Sequence, residues 1–520
     1  MTHLSRRSRH PRPLASVALV ALAALAVLAL VLGVPTPASA HGDRQRAERF
    51  REAYAGDAGG LRVPLVASSN VSLLSSNPGS AGISGCFLRS APLFVMSALD
   101  SVKVYDVSDP RRPELTGTLP SAQFENEAMS CGERKGRDGT RRFALIGVDL
   151  YQASPDDIEH VNVRPAGGSY ELVVVDVTDP AHPAVAGRAP GSTSTHTVTC
   201  VDGTDCRYVY SAGTGESFSV FDLTDLDHPV EVDSDPAKDG TQPFASPTAG
   251  HKWNFDAAGY GTHTGFAGSS MFDVRDPLHP RLVTTTGAAG RGEDPAYPGW
   301  NDFIHHNSFR PNARAFTPDA PPALANGNVL LVTEEDYEQT DCSKAGSFQT
   351  WWVKRLDGTP DAIVPLDKVE LSDLGTFPLP QGAFCSAHWF SFHPSGIVAA
   401  GFYGGGTQLL DVRDPRHIAS YGHATWGASE VWDTYWVPVY GKNGQDTGKK
   451  TNLVYAVDLV RGLDVYAVDL PGSPATTNPV PLTSVLDGGL GSRTGVPGGL
   501  VLAACLGAVL LRRRARTALA

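Results

Sequence analysis

The sequence predicts an all-β chain folded as a β-propeller of seven blades, and three observations predict it. The phrase LVVVDVTDPAHP at 172–183 returns as VKVYDVSDPRRP at 102–113, FSVFDLTDLDHP at 218–229, SMFDVRDPLHP at 270–280 and LLDVRDPRH at 409–417. Between the copies run short stretches rich in Val, Leu, Phe and Tyr, set among 54 Gly and 39 Pro residues, with no sustained 3.6-residue apolar period. A small sheet repeated along a chain cannot bury its own faces and must stack on its neighbours, which is the requirement a closed ring of blades meets.

At the N terminus Arg6, Arg7, Arg9 and Arg12 precede an apolar run from Leu14 to Leu32, and Ala38-Ser39-Ala40 follows as a peptidase site. This reads as a signal peptide over 1–40, by the Sec or the twin-arginine route, with an N-terminal segment over 41–61 after it. Cleavage before His41 would leave an amine and an imidazole on one residue, a pair able to chelate Cu(II). The propeller is expected over 62–470. A linker rich in Gly, Ser and Pro follows over 471–495, then an uncharged stretch over 496–511 that reads as a transmembrane anchor, and a basic cytoplasmic tail over 512–520. The chain is thus expected to be exported and held at the cell membrane by its C terminus, with the propeller outside.

The Asp that ends each apolar strand marks one unit: Asp106, Asp176, Asp222, Asp273, Asp411 and Asp469. The wide gap between Asp273 and Asp411 holds one disguised unit, with strands in NVLLVTEEDY (328–337) and FQTWWVKRLDG (348–358) and Asp357 as its marker. The count is then seven. In Asp-x-x-Asp-Pro the acids bond nearby backbone N–H groups and Pro stops the strand, so these carboxylates are structural. Outside the anchor stand Cys86, Cys131, Cys200, Cys206, Cys342 and Cys385. Cys200 and Cys206 flank a tight turn and should pair. Cys86–Cys131 and Cys342–Cys385 rest on neighbourhood alone.

Blade building does not require the histidines that stand upstream of successive markers: His196 in TSTHTVTC, His251 in AGHKWNF, His306 in IHHNSFRP and His388 in CSAHWFSFHP. Each falls where an innermost strand begins, so the four imidazoles should face one axial channel. Glu127 takes the histidine's place in the second unit. Antiparallel pairing brings the end of each second strand to the same mouth, which adds Asp149, Glu334, Glu335, Tyr403 and Asp458. A metal site is expected at His196, His251, His306 and His388, with Glu335 completing or orienting the shell. Imidazole with carboxylate suits Cu, Zn, Fe or Mn, whereas Ca would take oxygen alone. A polar channel lining without any cofactor would look the same in sequence.

The phrases ELVVVDVTDPAHP and SVKVYDVSDPRRP resemble the LVIVD-repeat family, which implies propeller blades, often on exported bacterial proteins, and no assigned reaction. HWFSFHPSGIVAAGFYGGGTQLLDVRDPRH at 388–417 is similar to selenium-binding proteins and methanethiol oxidases, which implies a metal in the channel and oxidation of a small thiol.

The formal charge of −12 excludes a phosphate-binding basic face, so no nucleic acid is expected as partner. No GxxxxGK[ST], HExxH or Gly-x-Ser-x-Gly occurs. Two functions follow. One is a surface binding or scaffold propeller for an extracellular protein, a polysaccharide or a small molecule. The other is a metal-dependent enzyme, a thiol oxidase or a lactonase-like hydrolase.

Overall fold

The computed structural model describes residues 65–472, apart from segments within that span of which the longest are 150–169, 233–243 and 287–299. Two strands, β1 (Leu65–Ala67) and β2 (Val71–Asn77), precede the first blade. Each blade then follows as an antiparallel sheet counted from the axis outward. Blade one is β3 (Gly82–Phe87), β4 (Leu93–Ala98), β5 (Ser101–Asp106) and β6 (Glu114–Pro120). Blade two is β7 (Ser130–Gly136), β8 (Gly139–Asp149), β9 (Tyr170–Asp176) and β10 (Ala184–Pro190). Blade three is β11 (Thr197–Cys200), β12 (Tyr208–Ala212), β14 (Val220–Asp222) and β15 (Val230–Glu231), with β13 (Ser217–Phe218) paired apart to β16 (Phe244–Ala245). Blade four is β17 (Gly250–Phe255), β18 (Tyr260–Gly265), β19 (Gly268–Asp273) and β20 (Arg281–Thr285). Blade five is β21 (Ile304–Phe309), β22 (Val329–Glu335), β23 (Phe348–Val353) and β24 (Ile363–Val369).

Blade six is β25 (Phe390–His393), β26 (Ile397–Gly401), β27 (Thr407–Asp411) and β28 (Ala419–Trp426), and β1 adds to its outer edge against β28. Blade seven is β29 (Val431–Tyr440), β30 (Asp446–Asp458) and β31 (Gly462–Val468), and its outermost strand is β2. The start of the ring therefore completes its last blade.

The marker Asp closes the third strand wherever the phrase is intact, and its carboxylate accepts the backbone N–H two residues on: Ser108 to Asp106 at 2.7 Å, Thr178 to Asp176 at 2.8 Å, Thr224 to Asp222 at 2.7 Å. Asp357 does the same for Thr359 at 3.1 Å in the disguised unit. The second Asp repeats the device, as Asp179 accepts from Ala181 at 3.1 Å.

The continuous apolar runs have a physical reason. Each sheet is sandwiched between two others, so both of its faces are buried. Val173 and Val175 pack with Val95 and Val104 of blade one, whereas Leu172 and Val174 pack with Val198 and Val209 of blade three. Seven such apolar clusters lie between neighbouring blades, and an eighth, of Ala81, Ile83, Tyr403, Trp432 and Leu459, joins blades one, six and seven near the axis. Three disulfides add covalent ties: Cys86–Cys131 joins β3 of blade one to β7 of blade two, Cys200–Cys206 closes a hairpin within blade three, and Cys342–Cys385 ties blade five to the approach of blade six.

One expectation is corrected. No helix among the described residues is long and apolar enough to cross a membrane, and the regular structure is strand with three short 3-10 turns. The stretch 496–511, like the signal peptide at 1–40, lies outside the described residues. The C-terminal transmembrane anchor is therefore withdrawn. With it go the membrane as a partner, the exported and membrane-anchored location, and the cell-surface setting of any protein or polysaccharide partner.

Candidate metal centre

The inner strand of a blade starts at one face of the ring, and that is where the structure places the predicted histidines. His196 immediately precedes β11, His251 is the second residue of β17, His306 the third of β21, and His388 stands two residues before β25; Glu127 stands three residues before β7. Five successive blades thus send one ligand-type side chain each to a common point. All five are buried.

The point is defined by one atom. Glu127 Oε2 lies 3.4 Å from His196 Nε2, 3.5 Å from His251 Nε2, 3.4 Å from His306 Nε2 and 4.0 Å from His388 Nε2. From the other side Glu335, the last residue of β22, brings Oε2 to 3.4 Å from His306 Nε2 and Oε1 to 3.8 Å from His388 Nε2. Two triads result, Glu127-His251-His306 and His306-Glu335-His388, with the ligand atoms of each within 4.8 Å of one another. His306 belongs to both. Bonds of about 2.1 Å to a central ion would set ligand atoms roughly 3 to 4 Å apart, the range in which Glu127 Oε2 stands from the four Nε2 atoms, although His196 belongs to neither triad.

A repeated irregularity does the aiming. On β17 the register passes from Gly250 opposite Gly265 to Lys252 opposite Thr264, leaving His251 as an extra residue. On β21 it passes from His305 opposite Glu334 to Asn307 opposite Thr333, leaving His306. On β25's approach, Gly401 of β26 bonds both His388 and Trp389. Blades one and seven show the same skip at Ile83 and Trp432. A β-bulge turns a side chain out of the normal alternation, and here it does so in blades one, four, five and seven, whereas Glu127 and His196 of blades two and three stand just before strands that pair without a bulge. The residues at this tier are chemically uneven: blades two to six supply carboxylate and imidazole, blades seven and one supply Trp432 and Ile83.

The electrostatics suit a cation. Burial pushes the Glu127 carboxyl up, but attraction and hydrogen bonding to His196, with smaller contributions from His306 and His251, together outweigh it and hold the group well below the usual carboxylate range. Burial drives His251 well below the imidazole range and His306 down to about 4. At neutral pH His251 and His306 therefore present lone pairs beside an ionised carboxylate, the protonation state metal binding needs. His306 Nε2 is buried and makes no hydrogen bond among the described residues, although two carboxylates stand at 3.4 Å. The buried His and Glu clusters are consistent with a transition-metal site.

The shell around the ligands is built. His388 Nδ1 donates to the Trp432 carbonyl at 2.7 Å, which fixes the tautomer that leaves Nε2 facing the centre. The Tyr403 hydroxyl donates to Glu335 Oε1. Tyr403 holds φ at +46°, a left-handed conformation costly for a residue with a side chain; the strained turn delivers its phenol to the carboxylate.

The other expected mouth residues divide. Glu334 points away from Glu335 by strand alternation and accepts from Ser347 Oγ at 2.9 Å and the Phe303 N–H at 3.2 Å. Asp458 caps the β30–β31 turn, accepting from Val460 at 2.7 Å and Arg461 at 2.9 Å. Asp149 ends β8. Glu127 contributes more than a substitute for a missing histidine, because it is the atom on which the ring converges.

Sequence reasoning missed a second tier. Lys252 Nζ sits 4.8 Å over the Trp389 ring, and burial pushes its ammonium down to about 8 against the opposing pull of Asp433 and Glu127. Adjacent strand residues normally face opposite ways, so Lys252 beside His251 and Asp433 beside Trp432 read as outward-facing. Only the bulge brings them inward, and no composition signal marks it.

No protein family matches the chain, and no curated protein matches it. Among solved structures, the β-propeller domain of Cps50 (Swd1) from Myceliophteria thermophila is similar over 77% of this chain and 100% of that one, at 12% identity and a TM-score of 0.47. Family membership in the LVIVD-repeat group thus has no match behind it, and what stands is the β-propeller fold.

Proposed function

We propose that the chain is a metal-dependent enzyme acting on a small molecule in the propeller channel, with His196, His251, His306 and His388 as imidazole ligands and Glu127 and Glu335 as the carboxylates beside them. The observation that carries this reading is the convergence of four Nε2 atoms from four blades on one carboxylate oxygen. A scaffold propeller needs a ring of blades, but it has no use for four imidazoles buried around one carboxylate. Donors of this kind favour Cu, Zn, Fe or Mn.

A bound ion would supply Lewis-acid or redox chemistry at an open position. The chain's own residues do the rest. Glu335, whose Oε1 takes the Tyr403 hydroxyl hydrogen bond, is the carboxylate placed to accept a proton from a ligand at the centre on Oε2. Trp389 and Trp432 wall the site against bulk water, and the Trp432 carbonyl keeps His388 in register. The HWFSFHP…FYGGG stretch that resembles methanethiol oxidases supplies His388, Trp389 and Tyr403, which supports oxidation of a small thiol as the reaction. The LVIVD-like turns support kinship with that repeat family in architecture.

The test is metal content. Full-length protein carrying His306→Ala, which removes the imidazole common to both triads, should hold less than about a tenth of the wild-type metal after dialysis, measured by plasma mass spectrometry. Wild-type metal content in a folded His306→Ala protein would sink the reading.

A further inference from the structure

The bulges that aim the imidazoles also set the next residue of each strand toward the axis, and this second tier has a chemistry of its own. It comprises Lys252 from blade four, Asn307 from blade five, Trp389 from blade six and Asp433 from blade seven. Lys252 and Trp389 come from blades that are not neighbours, so their contact at 4.8 Å can only be made across the channel.

Within this tier the polar groups are committed, with one exception. Asp433 accepts the Thr434 N–H at 2.7 Å and the Tyr435 hydroxyl. Asn307 accepts from Asn254 at 2.9 Å and donates to the Phe390 carbonyl at 3.3 Å. The Lys252 ammonium makes no hydrogen bond and no ion pair with any described residue, although Lys252 is only 9% exposed. Among the described residues its close contact is the face of an indole, with Asp433 and Glu127 attracting it from further off. A buried cation without a paired anion is costly, and the cost is recovered when a ligand brings the anion.

A cavity lies further along the same strand. Two residues further along β17, on the side of the strand that Lys252 shares, Asn254 lines a cavity of about 840 Å³ at the face where the inner strands end. The same cavity touches Ser130, Thr199 and Phe309 of blades two, three and five. Along β17, Lys252 lies between that cavity and His251.

Resting on the metal reading, we infer that Lys252 and the Trp389 face form an anion subsite, so that the substrate is a small organic anion. Its carboxylate, or a group of like charge, docks on the ammonium while its other end reaches the imidazole ring. The contact is non-covalent, and Lys252 is a specificity residue.

The test uses two probes that differ in charge alone, 3-mercaptopropionate and 3-mercapto-1-propanol, titrated calorimetrically under anaerobic conditions into full-length protein with and without added metal. Wild type should bind the anion at least about tenfold more tightly than the alcohol. In Lys252→Met that ratio should fall at least about fivefold, with affinity for the alcohol unchanged; Lys252→Arg should keep it. Lys252→Gln serves as the second neutral variant if the Met protein does not fold. Equal binding of the two probes by wild type, or an unchanged ratio in the neutral variants, would overturn the subsite. Metal uptake without charge preference removes the subsite and keeps the centre. Charge preference lost with Lys252 in a protein that takes up no metal keeps the subsite and removes the centre.

Discussion

At the residue scale the centre depends on positions that carry no chemistry. A Cβ on Gly250 would fall 1.5 Å from His263 Nε2, so the residue before His251 has to be glycine. Gly250→Ala should cost about 1–3 kcal/mol in urea unfolding, because overpacking displaces a buried ring, and should weaken metal binding by shifting His251; a neutral effect on both would refute the packing argument. His263 itself lies outside the centre, stacked on Trp253 with ring centroids 4.3 Å apart and hydrogen-bonded to Ser246 Oγ at 2.6 Å. Burial drives it down to about 3. Its folded pKa is below its unfolded one, so the unfolded chain takes up the proton first. The stability it contributes is whole above about pH 6.5 and is lost as pH falls toward 3, at up to about 1.4 kcal/mol per pH unit. His263→Gln should flatten that stretch of the stability profile, and an unchanged slope would contradict the assignment.

At the element scale the repeat phrase was fully legible, since a strand ending in Asp-x-x-Asp-Pro states both where it stops and how its turn is bonded. The four histidines were legible as positions where an inner strand begins, three of them 22 to 26 residues before the next marker and His306 51 residues before Asp357. The bulges were not. They exist through register against a neighbouring strand, so Lys252 and Asp433 stayed hidden beside residues that were found. Disulfide pairing was legible only at Cys200–Cys206, where both thiols sit on one hairpin; the other two bridges join different blades and depend on the closed ring. Cys86–Cys131 spans a separation of 45 residues, for which loop entropy gives about 4 kcal/mol. The Cys86→Ser, Cys131→Ser double variant should lose a large part of that in denaturant unfolding, and a loss below about 1 kcal/mol would show that the neighbouring blades already fix the loop.

At the scale of the whole molecule, closure links the first strands to the last blade. Val71 and Leu73 of β2 are buried with Tyr466 and Val468 of β31. Protein lacking residues 1–77 should expose the edge of β31 and aggregate or unfold; a monomeric, cooperatively folding product would show that closure is dispensable. The ring also explains why the site is on the axis: only there do five blades that are distant in sequence meet. An ion bound there ties five blades together, so metal at a thousandfold excess over its dissociation constant should stabilise the fold by about 4 kcal/mol.

The most direct test of the central claim is anomalous diffraction at the Cu, Zn, Fe and Mn edges from crystals of the full-length protein grown with each metal. The account predicts one strong peak on the axis, within about 2.5 Å of His306 Nε2 and a Glu127 or Glu335 oxygen. Well-ordered crystals with no peak there at any edge, or a peak only at surface residues, would contradict it.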